Sequence, residues 1–130
     1  MSLRNFIAEC VECKTRFQID HTSVEKKEYT DKEGNLIFIT FYNCPECGKR
    51  HYVQIDNEET NKVLADLIRQ MGILMAFTRS GKEVPKKQRR EFEGKRRHLT
   101  VLRRKLMEQY QESEIVSKSD GRTEKVSFVV

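Results

Sequence analysis

Cys44-Pro-Glu-Cys47-Gly48, CPECG in one-letter code, ends a β-rich run, and thirty residues before it stands a second pair, Cys10-Val-Glu-Cys13. Two cysteines at this spacing place both thiolates on one tight knuckle, and two knuckles supply the four-sulfur tetrahedral shell that structural zinc prefers. Pro45 presets a turn dihedral, and Gly48 can adopt positive φ after the last ligand. The first knuckle has Lys14 at that position. A redox pair would call for a βαβ thioredoxin-like setting, and none is visible.

Outward from the knuckles, NFIAE, TRFQI, LIFITFYN and RHYVQI are runs rich in β-branched and aromatic residues. Val24–Thr30 and Leu36–Asn43 read as a hairpin turning through Asp31-Lys-Glu-Gly-Asn35. With CVEC and CPECG, residues from about 5 to 56 resemble the zinc ribbon family, defined by two cysteine knuckles on β-hairpins. That resemblance implies a structural zinc ion held by Cys10, Cys13, Cys44 and Cys47, with no open coordination position for a substrate. His51 is expected to be a strand residue and His21 a turn residue.

Beyond the ribbon the hydrophobic period changes from two to between three and four. Asp56-Asn57-Glu58-Glu59 offers N-cap and acidic first-turn residues. Val63, Leu64, Leu67, Ile68, Met71, Leu74 and Met75 then mark a helix over about 57–79. Its broad apolar face is expected to pack on a second helix and on the ribbon sheet. Ser80-Gly81 ends it and Pro85 opens a second helix, to about 115, with a stripe of Phe92, Leu99, Leu102, Leu106 and Tyr110. The fold class expected is α+β: an N-terminal zinc ribbon over 1–56, an antiparallel helical hairpin over 57–116, and a polar tail over 117–130 ending in a short strand, Lys125–Val130.

The net charge is +5, but its distribution says more: residues 82–105 hold eleven Lys or Arg against Glu83, Glu91 and Glu93. Arginine pairs recur at seven-residue steps, at Arg89–Arg90, Arg96–Arg97 and Arg103–Arg104, so they stack along one side of a helix. On a helical wheel Lys86, Arg90, Arg97 and Arg104 lie opposite the apolar stripe, with Arg89, Arg96 and Arg103 on one flank and Lys105 towards the other. From Gly94 to Met107 there is no acidic residue, too few internal partners for a face stitched by i,i+4 ion pairs. A concentrated cationic ridge implies an anionic partner.

The expected function is therefore a non-enzymatic binding module whose basic helix contacts nucleic-acid phosphates. The alternative is an assembly subunit, such as a small phage or multiprotein-complex component, whose ridge meets an acidic protein surface and whose terminal strand docks on a neighbour. No nucleophile–base constellation or phosphate-cradling glycine loop points to catalysis or to a small-molecule substrate. No run of some 20 apolar residues suits a membrane, and MSLRNFIAEC lacks a secretory layout, so a cytoplasmic setting, or a phage particle, is expected.

Overall fold

The computed structural model describes residues 6–19 and 22–128. His21 and residues 129 and 130 of the expected terminal strand lie outside them. Among the described residues, seven strands and two helices follow one another as β1 (Phe6–Glu9), β2 (Arg16–Ile19), β3 (Val24–Thr30), β4 (Leu36–Asn43), β5 (Arg50–Asp56), α1 (Glu58–Arg79), α2 (Lys86–Tyr110), β6 (Glu114–Ser117) and β7 (Thr123–Lys125). They form two compact units. One contains residues up to Ile55 together with those from Tyr110 onward; the other is Asp56–Gln109.

In the β unit, β1 and β2 make a separate antiparallel hairpin, while the other strands form a sheet in the order β5-β4-β3-β6-β7. The β3–β4 register runs from Val24 opposite Tyr42 to Thr30 opposite Leu36. Its turn is held by Asp31, whose Oδ1 accepts the N–H groups of Glu33 and Asn35 at 2.9 and 2.8 Å. Gly34 takes a φ of 82° there. The period of two places Ile37, Ile39 and Phe41 of β4 in the core, where Tyr29, Ile55, Ile115, Val126 and Phe128 are also buried.

The C-terminal segment differs from expectation. Helix α2 stops at Tyr110, about five residues early, and Glu112 turns the chain with a φ of 60°. The end of the expected helical hairpin and the first part of the expected polar tail form a β-hairpin, β6 to β7, and β6 pairs with β3 through Tyr29 opposite Ser117 and Thr30 opposite Val116. The reason is its alternation: Ile115 and Ser117 point inward while Glu114 and Val116 point out. Past β7, Phe128 forms a parallel bridge with Tyr52 on β5, at the opposite edge of the sheet. The Gln111 side chain clamps it, donating from Nε2 to the Phe128 carbonyl at 2.8 Å and accepting its N–H at 2.9 Å. The sheet thereby curls nearly closed, and the terminal segment docks on its own chain as far as Phe128. Three of the five strands before α1, namely β3, β4 and β5, thus belong to one sheet with β6 and β7.

Arg50, Glu124, Tyr29 and Tyr52 form a polar cluster across this closure. The Arg50 guanidinium lies 4.0 Å from the Phe41 ring centre and donates to Glu124 and to the Tyr29 hydroxyl. Both tyrosine hydroxyls donate to Glu124 Oε2, at 3.0 and 3.2 Å. Accepting from all three donors, Glu124 fastens β7 to β3 and β5.

In the helical unit, Asn57 caps α1: its side chain accepts the Thr60 N–H at 2.9 Å, and Thr60 Oγ1 accepts the Asn57 N–H at the same distance. The helix ends in a Schellman motif, with Lys82 N–H on the Phe77 carbonyl, Gly81 N–H on that of Thr78, and Gly81 at a φ of 73°. The Pro85 carbonyl accepts the Arg89 N–H, opening α2. Antiparallel pairing follows from Lys95 Nζ, 3.0 Å from Asp66, and from Arg103 on Asp56. Leu67, Leu99 and Leu106 are buried; Phe92 and Leu102 are half-buried. On the broad face of α1, Ile68, Met71 and Met75 stay exposed. No described helix is long and apolar enough to cross a membrane.

Candidate metal centre and basic helix

The knuckles sit at the tips of two hairpins, β1–β2 and β4–β5, and their backbones match residue for residue. Cys10 N–H donates to the Thr15 carbonyl and Lys14 N–H to that of Cys10, at 3.0 and 2.8 Å. Cys44 N–H donates to the Lys49 carbonyl and Gly48 N–H to that of Cys44, both at 2.9 Å. Lys14 and Gly48 share positive φ, 63° and 75°. The first knuckle thus adopts the glycine conformation without the glycine.

Sequence-distant sulfurs meet as a result: Cys10 lies 3.6 Å from Cys47, Cys13 lies 3.6 Å from Cys44, and all four sulfurs fall within 4.8 Å of one another. A tetrahedral ion with metal–sulfur bonds of about 2.3 Å would separate its sulfurs by about 3.8 Å. The four cysteines therefore fit a metal ion, and Cys10 and Cys44 are buried while Cys13 and Cys47 face solvent. His51 is not in the cluster. It belongs to β5 and stacks on Tyr42 with ring centres 5.0 Å apart, and Tyr42 in turn meets the edge of Phe17 on β2. Lys49 ties the knuckles together through Glu12 at 2.7 Å.

The protonation chemistry of the cluster suits a cation. Hydrogen bonding with Thr15, whose Oγ1 lies 3.2 Å from the sulfur, draws the Cys13 thiol down to about 6. At Cys47 the Lys49 N–H favours a thiolate, but desolvation and the three neighbouring sulfurs outweigh it and push the group up to about 12. Successive thiolates repel one another in this space, and a divalent ion removes that repulsion.

Along α2, the ridge residues separate into two sets. Arg103 was read as a flank member, but it closes on Asp56: Nε is 2.8 Å from Oδ1 and Nη2 is 3.3 Å from Oδ2. Its side chain is only 20% exposed and that of Asp56 is fully buried, so it is part of the fold rather than of a contact face. No local signal in the sequence marks this pair, whose members stand 47 residues apart. Arg96 pairs with Glu93 at 2.9 Å. Lys86, Arg89, Arg90, Arg97, Arg104 and Lys105 are exposed and make no side-chain ion pair among the described residues.

Comparison with protein-family models, with curated proteins and with solved structures finds no match.

Proposed function

We propose that this chain is a non-enzymatic, zinc-stabilised module that binds the phosphates of nucleic acid through the outward face of α2. The observation that carries this reading is the exposure of Arg90, Arg97 and Arg104 at seven-residue steps, with no carboxylate partner among the described residues. Unpaired arginines four or seven apart repel one another, and phosphate oxygens relieve that repulsion with bidentate hydrogen bonds. Zinc would hold the knuckles through Cys10, Cys13, Cys44 and Cys47; four thiolates fill its shell, which favours a structural over a catalytic role. The β unit supports the same reading at the level of fold. Its meander, helical insertion and returning hairpin have the connectivity of OB-type Greek-key barrels, which bind oligonucleotides or oligosaccharides.

The test is a salt titration of binding to random duplex and single-stranded oligonucleotides. Affinity should fall steeply with salt, and Arg97→Gln with Arg104→Gln should shallow the log–log slope by about one to two units, since each lost contact retains nearly one counterion. No binding even at low salt overturns the reading. Capture by an acidic protein that depends on the same two arginines would then favour the assembly alternative.

A further inference from the structure

Helix α1 carries a second apolar seam that is left open among the described residues. Ile68, Met71 and Met75 are 64, 50 and 47% exposed, and half-buried Leu64 completes their row. Steps of four, three and four place Leu64, Ile68, Met71 and Met75 at alternating core positions of a heptad, continued outward by Asn61 and Thr78. One flank of this row, at seven-residue steps, reads Glu58, Ala65, Gly72, Arg79. That order is acid, small, small, base, and it is self-complementary when reversed.

Gly72 adds an independent observation. A helix-interior glycine weakens a helix relative to alanine, and here, beyond the helix's own backbone, nothing among the described residues lies within 4 Å of where a Cβ would stand. The chain's own packing does not require a glycine at this position, whereas a second backbone approaching this flank would.

We propose that α1 pairs with α1 of a second copy of this chain, antiparallel about a two-fold axis between Ile68 and Met71. Leu64 then faces Met75 of the other copy, and Ile68 faces Met71. Ala65 faces Gly72, so the helices approach closely. Glu58 meets Arg79 at both ends, and every contact occurs twice, as an isologous interface demands. Charge complementarity favours the antiparallel arrangement, because in a parallel pair this flank would face the partner's opposite flank of Thr60, Leu67 and Leu74, and Glu58 would not meet Arg79.

Sedimentation of the full chain from a few to several hundred micromolar tests this. A dimer is expected, and Ile68→Glu should weaken it at least about tenfold while circular dichroism stays unchanged, since this side chain is exposed in the monomer. Gly72→Gln should strengthen the monomer's helix yet weaken the dimer, two effects of opposite sign. Glu58→Lys or Arg79→Glu alone should weaken association by several-fold, and the two together should restore it. A chain that stays monomeric throughout, a dimer indifferent to Ile68→Glu, or a double charge reversal no better than the single ones would each overturn the proposal.

Discussion

Arg103 holds Asp56 in a two-point grip, Nε on Oδ1 at 2.8 Å and Nη2 on Oδ2 at 3.3 Å, and the carboxylate it holds has no exposed surface. Its sequence neighbour Arg104 points to solvent. Two adjacent arginines thus serve different ends: one stabilises the fold, and the other is free for a partner.

Removing Arg103 takes the guanidinium from a carboxylate that burial already disfavours. Arg103→Met should cost about 3–5 kcal/mol of unfolding free energy. Arg104→Met should stay within about 0.5 kcal/mol of the parent. Denaturant unfolding of the two variants side by side checks this; equal effects would refute the division of roles.

Lys14 occupies a left-handed conformation that its counterpart Gly48 adopts without strain. Lys14→Gly should therefore stabilise the protein by about 1 kcal/mol, while Gly48→Ala should destabilise it by about as much or more. Thermal unfolding of both variants with metal present reads the two signs.

Tyrosine ionisation should lag at high pH. Burial, then the charge of Glu124, pushes the Tyr52 hydroxyl up to about 12, against the opposing charge of Arg50, and Tyr29 is raised for the same reasons. Burial and the hydrogen bond to Asp31, 2.6 Å long, raise Tyr110. Each favours the neutral form when folded, so its stabilisation is complete below the ordinary value of about 10 and is lost as pH climbs through the raised one. Asp31 behaves in the opposite sense: burial would raise it, but hydrogen bonds from Tyr110, Asn35 and Glu33 hold it low. Its contribution is present above the usual carboxylate range and disappears as pH falls through the lowered value. An ultraviolet titration should show none of these three tyrosines ionising near 10 until the protein unfolds, whereas the denatured chain should titrate normally.

The terminal segment completes the core of the β unit, so cutting before Val126 removes two buried side chains, Val126 and Phe128. Phe128→Ala should cost about 3–5 kcal/mol. Gln111→Ala should cost less, but should speed hydrogen exchange at the Phe128 amide, which it accepts from. Unchanged exchange there would mean that the clamp does not hold in solution.

Much of this fold was legible where the signal is local. Cysteine spacing marked the knuckles, the turn at Asp31–Asn35 beside a β-rich run marked β3 and β4 to the residue, and Asn57, Gly81 and Pro85 bounded the helices. Non-local pairings were hidden. Glu114–Ser117 is four residues long and half polar, and it becomes a strand because β3 supplies an edge more than eighty residues earlier. Likewise the wheel placed Arg103 on a flank, but nothing near it in the chain announces Asp56. At Ile68, Met71 and Met75, which stay exposed, periodicity shows that a face is apolar, not what covers it.

The account rests above all on the four-sulfur centre, and zinc content measured on protein purified without chelator tests it most directly. One zinc per chain is predicted, lost together with tertiary structure in Cys44→Ser or Cys47→Ser, because so small a β unit needs the metal to hold its knuckles. Less than about half an equivalent of zinc in protein that is otherwise fully folded would contradict it.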